Sequence, residues 1–374
     1  MFRLRQLFRM AEETAAKRPK IESPVIGTHN GHFHADEALA VYLLRLLPAY
    51  NPSTLVRTRD PAKLATCHTV VDVGGEYDPA TNRYDHHQRT FATTFPKHET
   101  KLSSAGLIYM HFGKAIIALH TSLPIDHPDV ETLYEKLYSD FIEALDAHDN
   151  GISVYDSAAV SAAGLSKRFR DGGINLGSLV GDLNNPDPKS HEAQDEDSLF
   201  NRASTFIGDA FVRKLRIASS SWLPARAIVR DAYNSRFTVS HPSGRIIVMP
   251  KAGIPWKEHL FTLEQEQAAT GSAEDVVSKG VYYVLYPESA DSGPKWRVQC
   301  VPTEESSFES RKPLPESWRG VRDADLDGVL AAEAEKTGTA KIPEGAIFVH
   351  ASGFIGGHAT RAGALAMAVK SLEM

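Results

Sequence analysis

Cysteines are scarce in this chain, long apolar runs are missing, and positive charge does not exceed negative charge. Cys67 and Cys300 are too few and too far apart for a disulfide framework or a thiolate zinc site, so we expect a reducing compartment. No run of about eighteen uncharged apolar residues occurs, so the sequence predicts no membrane span. The formal net charge is −6. Bulk electrostatics therefore cannot hold a nucleic acid, and any polyanion must be bound by a local basic groove.

The amino-terminal residues 1–22 form a predicted targeting or disordered segment. Residues 1–9 place arginines among apolar side chains without an acid, which is typical of a mitochondrial transit peptide. The basic run at 17–20 suits nuclear import, and initiation at Met10 would retain that run while removing the presequence. Mitochondrion and nucleus are the predicted locations, with the cytoplasm as an alternative.

The 374 residues exceed a usual single core, so two domains are expected. Residues 23–183 alternate strand and helix patterns, which predicts an α/β domain with a parallel sheet. Residues 184–198 are rich in Pro, Asp and Glu and are the predicted linker. Residues 199–374 are the predicted second, smaller α/β domain, which ends in a strand, a glycine loop and an alanine-rich helix. We expect the active site in a cleft between the two domains.

Acids and histidines concentrate at predicted loops and element ends of the first domain. Open parallel sheets bind ligands at the carboxyl ends of their strands, and Asp72 lies near the end of a predicted strand at 69–73. Histidine and carboxylate sets favour manganese, iron or zinc over calcium. The candidate ligands at such positions are His29, His34, Asp36, Asp72, His86 and Asp149.

Two acids lie in the last turn of a predicted helix over residues 130–147. Asp146 and Asp149 are three residues apart and share a helix face, where the helix dipole disfavours negative charge. A nearby cation would remove this penalty. Asp149 is therefore a predicted ligand, and whether Asp146 also binds metal stays open.

The run Asp85-His86-His87 resembles the motif that names the DHH phosphoesterase superfamily. More closely, the chain resembles the melanocyte proliferating gene 1 family of nucleases. The segments that carry this resemblance are 27–39, 71–75, 84–89, 102–106, 146–153, 221–226 and 353–361.

The resemblance implies two divalent metal ions bridged by Asp72, with manganese expected and magnesium or zinc as alternatives. It implies one site of His29, His34 and Asp72, and a second site of Asp36, Asp72, His86 and Asp149. Most of the superfamily has Asp-x-Asp where this chain has His34-Ala35-Asp36. His32 is an open alternative to His29, because residues two apart share a face in an extended chain.

The remaining site residues concern catalysis and substrate. Asp85 is expected to support an imidazole, as carboxylates commonly do beside metals, and we group it with Asp72 and His87 as catalytic. His87 points away from its neighbour in an extended segment and is expected to contact phosphate. The predicted anion-binding site is a glycine loop at a helix amino terminus. It consists of Gly356, Gly357, His358 and Arg361.

These residues predict a metal-dependent phosphodiesterase that uses two-metal hydrolysis. By resemblance, its substrate is RNA with a single-stranded 3′ end and its activity is that of a 3′–5′ exonuclease in RNA processing. A phosphohydrolase acting on pyrophosphate, a nucleotide phosphate or short oligonucleotides is the alternative. A non-catalytic, metal-stabilised RNA-binding protein is the second alternative. No membrane partner is expected, and the sequence does not indicate an oligomeric state.

Overall fold

The computed structural model describes residues 23–374 apart from 171, 193, 271–279 and 290–294. The targeting predictions for residues 1–22 lie outside this range. The chain divides into two compact units, the first ending at Arg216 and the second spanning Ile217–Met374. Across the described ranges, no helix combines the length and the hydropathy needed to cross a membrane.

The first unit contains one sheet and a set of helices. Its elements are β1 (Val25–Thr28), α1 (Ala35–Arg45), β2 (Thr54–Arg57), α2 (Pro61–Leu64), β3 (Thr69–Val71), β4 (Tyr77–Asp78), β5 (Arg83–Tyr84), α3 (Ser104–Thr121), α4 (Pro128–Leu137), a π-helical turn (Tyr138–Ile142), α5 (Glu143–Asp149), α6 (Ser157–Ala162), α7 (Leu176–Asp182) and α8 (Glu196–Ile217). The predicted helix at 130–147 is thus α4, the π turn and α5 in succession.

The first sheet has the strand order β2-β1-β3-β5-β4. Strands β2, β1, β3 and β5 are parallel, and β4 pairs antiparallel with β5. The parallel strands β1 and β3 consist mainly of buried apolar residues, as expected for a sheet covered on its faces. The parallel sheet predicted for this region is therefore present. Its carboxyl ends lie at one edge, from which the site residues project.

Helix α8 belongs to the first unit by its packing. Phe200 meets Phe33 edge to face at a centroid distance of 5.7 Å, and Phe211 meets Tyr109 at 6.0 Å. Burial of such large aromatic side chains contributes strongly to core stability. The division at Arg216 therefore follows α8, whereas the predicted linker at 184–198 precedes most of this helix.

The second unit carries a mixed sheet. Its elements are a π-helical turn (Ala218–Trp222), α9 (Leu223–Asn234), a second π turn (Arg236–Ser240), β6 (Ile246–Val248), α10 (Lys257–Thr270), β7 (Tyr283–Pro287), β8 (Trp296–Cys300), α11 (Asp323–Thr337), β9 (Ala346–Val349), β10 (Ile355–His358) and α12 (Arg361–Glu373). The strand order is β6-β7-β8-β10-β9. Among the strands that the structure describes in this unit, only β6 and β7 pair in parallel. One buried cluster includes residues of α11 and α12, and another includes residues of α9 and α10.

The predicted glycine loop at the end of the chain is instead a strand. Gly356 and Gly357 pair with β8 on one side and β9 on the other, so their backbones belong to an interior strand. Helix α12 starts at Arg361, three residues after His358, and Thr360 caps it by accepting a hydrogen bond from the Gly363 amide. The prediction of a Gly-Gly-His helix amino terminus was therefore wrong, because non-local pairing determines the conformation of these glycines.

Candidate metal centre

Three adjacent parallel strands deliver the central residues of the site. His29 follows the end of β1, Asp72 follows β3, and His86 follows β5 by two residues. Because β1, β3 and β5 are neighbours running in the same direction, their carboxyl ends meet at one edge of the sheet. The alternation of strand and helix in the sequence thus accounts for the meeting of residues that are far apart in the chain.

Asp72 has a backbone conformation that few side chains adopt. Its φ of 58° lies in the left-handed region, where Asp and Asn are tolerated better than most residues other than glycine. Such a conformation costs about 1–3 kcal/mol and persists where the surrounding structure determines it. Here it turns the chain directly after β3 and presents both carboxylate oxygens of Asp72 to two different histidines.

One group of donors surrounds His29. The Nε2 atom of His29 lies 3.4 Å from Oδ2 of Asp72 and 3.1 Å from Oε1 of Glu37. The Nδ1 atom lies 3.2 Å from the carbonyl oxygen of Asn30. Donation from Nδ1 to that carbonyl would leave the Nε2 lone pair directed at the carboxylates. His34 completes a set in which ligand atoms lie within 4.8 Å of one another.

A second group of donors surrounds His86. Its Nε2 atom lies 3.2 Å from Oδ1 of Asp72 and 3.1 Å from Oδ2 of Asp149. Asp36 joins His86 and Asp149 in a set of ligand atoms within 4.8 Å of one another. Asp36 is held from the other side, because its Oδ2 accepts a hydrogen bond of 2.7 Å from the Ser104 hydroxyl.

The chemistry of these donors fits divalent cations. Among buried side-chain atoms of the described residues, Oδ1 of Asp36, Oε2 of Glu37, Oδ1 of Asp72 and both ring nitrogens of His86 lack a hydrogen-bond partner. Buried polar atoms without partners are destabilising, and a coordinated cation would satisfy them. The residues present therefore suit metal ions.

Electrostatics lead to the same conclusion. Burial lowers the pKa of His29, but hydrogen bonds to Asp72 and Glu37 outweigh burial and raise that pKa to about 10. Burial also lowers the pKa of His86, but the nearby carboxylates of Asp149 and Asp72 outweigh burial and raise that pKa to about 10. The buried carboxylates thus require compensating positive charge, supplied either by protons on the two imidazoles or by cations between them.

His87 differs from its neighbour in orientation and exposure. Its side chain is 61% exposed, whereas that of His86 is 5% exposed. The Nδ1 atom of His87 lies 2.6 Å from Oδ1 of Asp85, and Oδ2 of Asp85 accepts a hydrogen bond of 2.5 Å from the Gly75 amide. Burial raises the pKa of Asp85, but the bonds from His87 and Gly75 outweigh it and lower that pKa. The lowered pKa favours the ionised form of Asp85. Its carboxylate orients the ring of His87 and not that of His86.

Within the part of the chain that the structure describes, Asp146 belongs to none of the donor groups. Its Oδ1 accepts hydrogen bonds from the Ser103 amide at 2.9 Å, the Ser103 hydroxyl at 2.7 Å and the Gly106 amide at 3.1 Å. The Tyr138 hydroxyl donates to Oδ2 at 3.0 Å. Asp146 therefore caps the amino terminus of α3, which resolves the question left open by the sequence in favour of a structural role.

The structure also shows the surroundings of the alternative ligand His32 and of the residues of the predicted anion-binding site. His32 is exposed and belongs to none of the donor groups found among the described residues, whereas His29 is buried within one. Gly356, Gly357 and His358 are buried in the second unit, and Arg361 is exposed there. The imidazole of His358 is engaged internally, since its Nδ1 accepts from the Thr360 amide at 2.9 Å and its Nε2 lies 3.0 Å from the Pro343 carbonyl oxygen.

Glu37 and Lys101 are residues of the site that were not assigned from the sequence. Glu37 is fully buried and contacts His29, and the sequence signal for it was its position directly after Asp36 in the histidine-rich segment. Lys101 lines a cavity of about 420 Å³ together with His34, Asp36, Asp72, His86, His87, His148 and Asp149. The signal for Lys101 was its place directly before the 102–106 segment. This cavity gives the donor groups access to a ligand and supplies a cation beside them.

Comparison with known proteins agrees with this geometry. A family model named MYG1_exonuc, described as an uncharacterised protein family (UPF0160), matches residues 25–372. The chain belongs to the MYG1 family. The MYG1 exonuclease of Mus musculus is 46% identical over 96% of this chain and 89% of its own length. The MYG1 exonuclease of Homo sapiens is 47% identical over 93% of this chain and 86% of its own.

More distant members of the MYG1 family match over a similar extent. The MYG1 protein of Dictyostelium discoideum is 40% identical over 93% of this chain and 96% of its own length. The range matched by the MYG1 family model includes both donor groups, the cavity and the whole of the second sheet. The motifs predicted membership of the melanocyte proliferating gene 1 family, which is the MYG1 family. That prediction is therefore confirmed.

Proposed function

We propose that this protein is a metal-dependent phosphodiesterase that acts as a nuclease. The observation that carries the proposal is the arrangement around Asp72, whose Oδ2 lies 3.4 Å from His29 and whose Oδ1 lies 3.2 Å from His86. One carboxylate thus faces two donor groups, as a ligand that bridges two metal ions must. The exonuclease names of the mammalian relatives support hydrolysis of nucleic acid.

We assign two divalent ions to the centre, with manganese as the expected metal and magnesium or zinc as alternatives. His29, His34 and Asp72 would hold one ion, and Asp36, Asp72, His86 and Asp149 the other. Glu37 joins the first group by its distance from His29. When bound, two such ions activate a water molecule and stabilise the charge that develops on the phosphate during hydrolysis. The buried oxygens without hydrogen-bond partners and the mixed histidine and carboxylate set support this assignment.

The side chains around the cavity are proposed to bind the phosphate group of the substrate. Asp85 fixes the ring of His87 through Nδ1, which leaves Nε2 of this exposed imidazole to contact a phosphate oxygen. Bonding to Asp85 raises the pKa of His87 while burial lowers it less, so the charged form of the ring, which suits an anion, is favoured relative to a free imidazole. Lys101 lines the same cavity. Preorganised cations of this kind stabilise phosphoryl charge with little reorganisation.

We propose RNA with a single-stranded 3′ end as the substrate, cleaved in the 3′–5′ direction in mitochondria and the nucleus. The names of the relatives support an exonuclease, and a net charge of −6 favours contact with a short stretch of polyanion over coating of a long one. We also propose that the second unit contributes to substrate binding through Arg361, which is exposed. Internal bonding of His358 favours a structural role for that residue.

The decisive experiment measures turnover of end-labelled RNA, a dinucleotide and pyrophosphate with Mn²⁺, Mg²⁺ or Zn²⁺. We expect stepwise shortening of RNA from its 3′ end in the presence of metal and none in EDTA. Pyrophosphate hydrolysis without RNA cleavage would favour the small-substrate alternative. Metal binding with no turnover of any of the three would favour the non-catalytic alternative.

A further inference from the structure

The first unit exposes an unusual number of large apolar side chains in one segment. This segment, residues 152–174 between α5 and α7, is called the arm. The exposures of Val154, Tyr155, Leu165, Phe169 and Ile174 range from 67% to 92%. Among the described residues of the arm, none is buried. Exposed apolar side chains are normally scattered singly over a protein surface. A segment that exposes several large apolar side chains together therefore indicates a binding surface.

Both ends of the arm are fixed beside the metal centre. It leaves from α5, whose last residue is the proposed ligand Asp149, and Asn150 Nδ2 donates to the Lys101 carbonyl oxygen at 2.9 Å. It returns at α7, where Gly177 lies against the imidazole of His148. A Cβ atom at position 177 would lie 2.5 Å from that ring. Since His148, Asp149 and Asn150 line the cavity of the site, the arm starts and finishes at the cavity wall.

The outer part of the arm combines cations with an aromatic ring. Lys167, Arg168, Phe169 and Arg170 are consecutive and all exposed. Lys167, Phe169 and Arg170 line an open depression of about 520 Å³ together with Gly172 and Gly173. The chain as a whole carries a net charge of −6. Local positive charge around an exposed ring is therefore a departure from the average character of the protein.

We propose that the arm binds the single-stranded nucleic-acid chain next to the metal centre, with Phe169 stacking on a base and Arg168 and Arg170 contacting phosphates. This inference rests on the proposed nuclease function and extends it to a substrate-binding element. Aromatic rings beside cations are the usual platform for single strands. A contact between copies of this chain is the competing use of the arm, and the test below distinguishes it from binding of a nucleic-acid strand.

The test compares two arm variants with matched controls in the metal-loaded enzyme. The arm variants are Phe169→Ala and the double variant Arg168→Ala/Arg170→Ala. The controls, on the exposed face of α8, are Phe206→Ala and the double variant Arg213→Ala/Lys214→Ala, which remove the same chemistry elsewhere. The substrates are a long oligouridine and a uridine dinucleotide, and the readouts are kcat and KM at several salt concentrations.

We expect Phe169→Ala to raise KM for the oligouridine about 5-fold to 100-fold, the range that loss of one base stack produces. The ratio of kcat/KM for the long substrate to that for the dinucleotide should fall by a similar factor. In the double arginine variant, the slope of log KM against log salt should decrease by roughly 0.7 for each lost phosphate contact. The α8 variants should match the unmodified protein on both substrates.

Each other outcome has a defined meaning. If the unmodified protein cleaves oligouridine and the arm variants retain its KM and salt slope, the arm proposal is overturned while the nuclease function stands. If the unmodified protein cleaves neither substrate, the nuclease function is removed and this proposal falls with it. If KM is unchanged and sedimentation shows a dimer becoming a monomer in the arm variants, the arm is a contact between copies of this chain.

Discussion

Oδ1 of Asp85 lies 2.6 Å from Nδ1 of His87 and also accepts the backbone amide of His87 at 3.1 Å. This double contact fixes one histidine of an adjacent pair, while the other, His86, meets Asp72 and Asp149. The two imidazoles therefore have different environments despite their adjacency. Their substitution should have different consequences.

His87→Ala should lower kcat by about 100-fold, the loss typical of removing one preorganised charge-stabilising group, with little change in bound metal. His86→Ala should instead lose metal, since His86 lies between two carboxylates in the buried centre. Metal analysis of the purified proteins and turnover of RNA measure the two effects. Equal loss of metal in both variants would show that His87 is also a ligand.

Asp72→Asn should abolish activity and weaken metal binding. An amide retains only one oxygen, so it cannot serve both the His29 group and the His86 group. The fold should be retained, because an Asn is similar in size and tolerates the left-handed backbone at this position. Full turnover with tightly bound metal in Asp72→Asn would exclude a bridging role.

Glu37→Gln tests the residue that the sequence analysis left unassigned. Its carboxylate accepts the His34 amide at 2.8 Å as part of the cap of α1 and contacts His29 at 3.1 Å. Gln preserves the cap but removes the charge beside His29. We expect metal affinity to fall about 10-fold to 100-fold, as for other groups that orient or support a metal ligand.

Glu99→Gln provides a control for loss of one acidic charge, since Glu99 is an exposed carboxylate of the same unit. Its metal affinity should match that of the unmodified protein. Titration of the metal-free proteins with Mn²⁺ gives the comparison. If Glu37→Gln kept full affinity and full turnover, Glu37 would have only its capping role.

Much of the first unit follows from local sequence. The strand predicted at 69–73 includes β3 and ends near Asp72. Strand and helix alternation predicted the parallel sheet, and this topology brings His29, Asp72 and His86 together. These three members of the donor groups were therefore accessible from residue types at strand ends, before any contact was known.

Other features depend on contacts that local sequence does not encode. Gly356 and Gly357 have the composition of a loop, but pairing with β8 and β9 makes them part of a strand. Asp146 and Asp149 share a helix face by spacing, yet Asp146 meets the amino terminus of α3, which arrives from a distant part of the chain. Predicting either result requires knowledge of which elements are neighbours.

The second unit allows separate tests of binding and stability. Arg361 is exposed, with its guanidinium 5.8 Å from the centre of the Trp296 ring, so Arg361→Ala should raise KM for RNA more than for a dinucleotide. His358→Ala should instead destabilise the protein by about 2 kcal/mol or more, because it leaves buried hydrogen-bonding groups without partners. Chemical unfolding and kinetics on both variants separate these effects. A normal melting curve with a raised KM in His358→Ala would restore its predicted role in anion binding.

The raised pKa of Asp146 predicts how the stability of the protein depends on pH. Burial raises its pKa to about 7, whereas an unfolded chain has an aspartate pKa of about 3.9. Between these values the folded state retains a proton that the unfolded state releases, so this group makes the protein less stable as pH rises from about 4 to 7.

Asp146→Asn should remove this component of the pH dependence, because an amide does not titrate and its oxygen can still accept from Ser103 and Gly106. Asp146→Ala should cost at least about 2 kcal/mol at every pH, because the donors at the start of α3 lose their acceptor. Urea unfolding of the three proteins between pH 4.5 and 7 measures both effects, with the range set by the two pKa values. Parallel pH profiles for the unmodified protein and Asp146→Asn would contradict the raised pKa, while a stable Asp146→Ala would contradict the capping role.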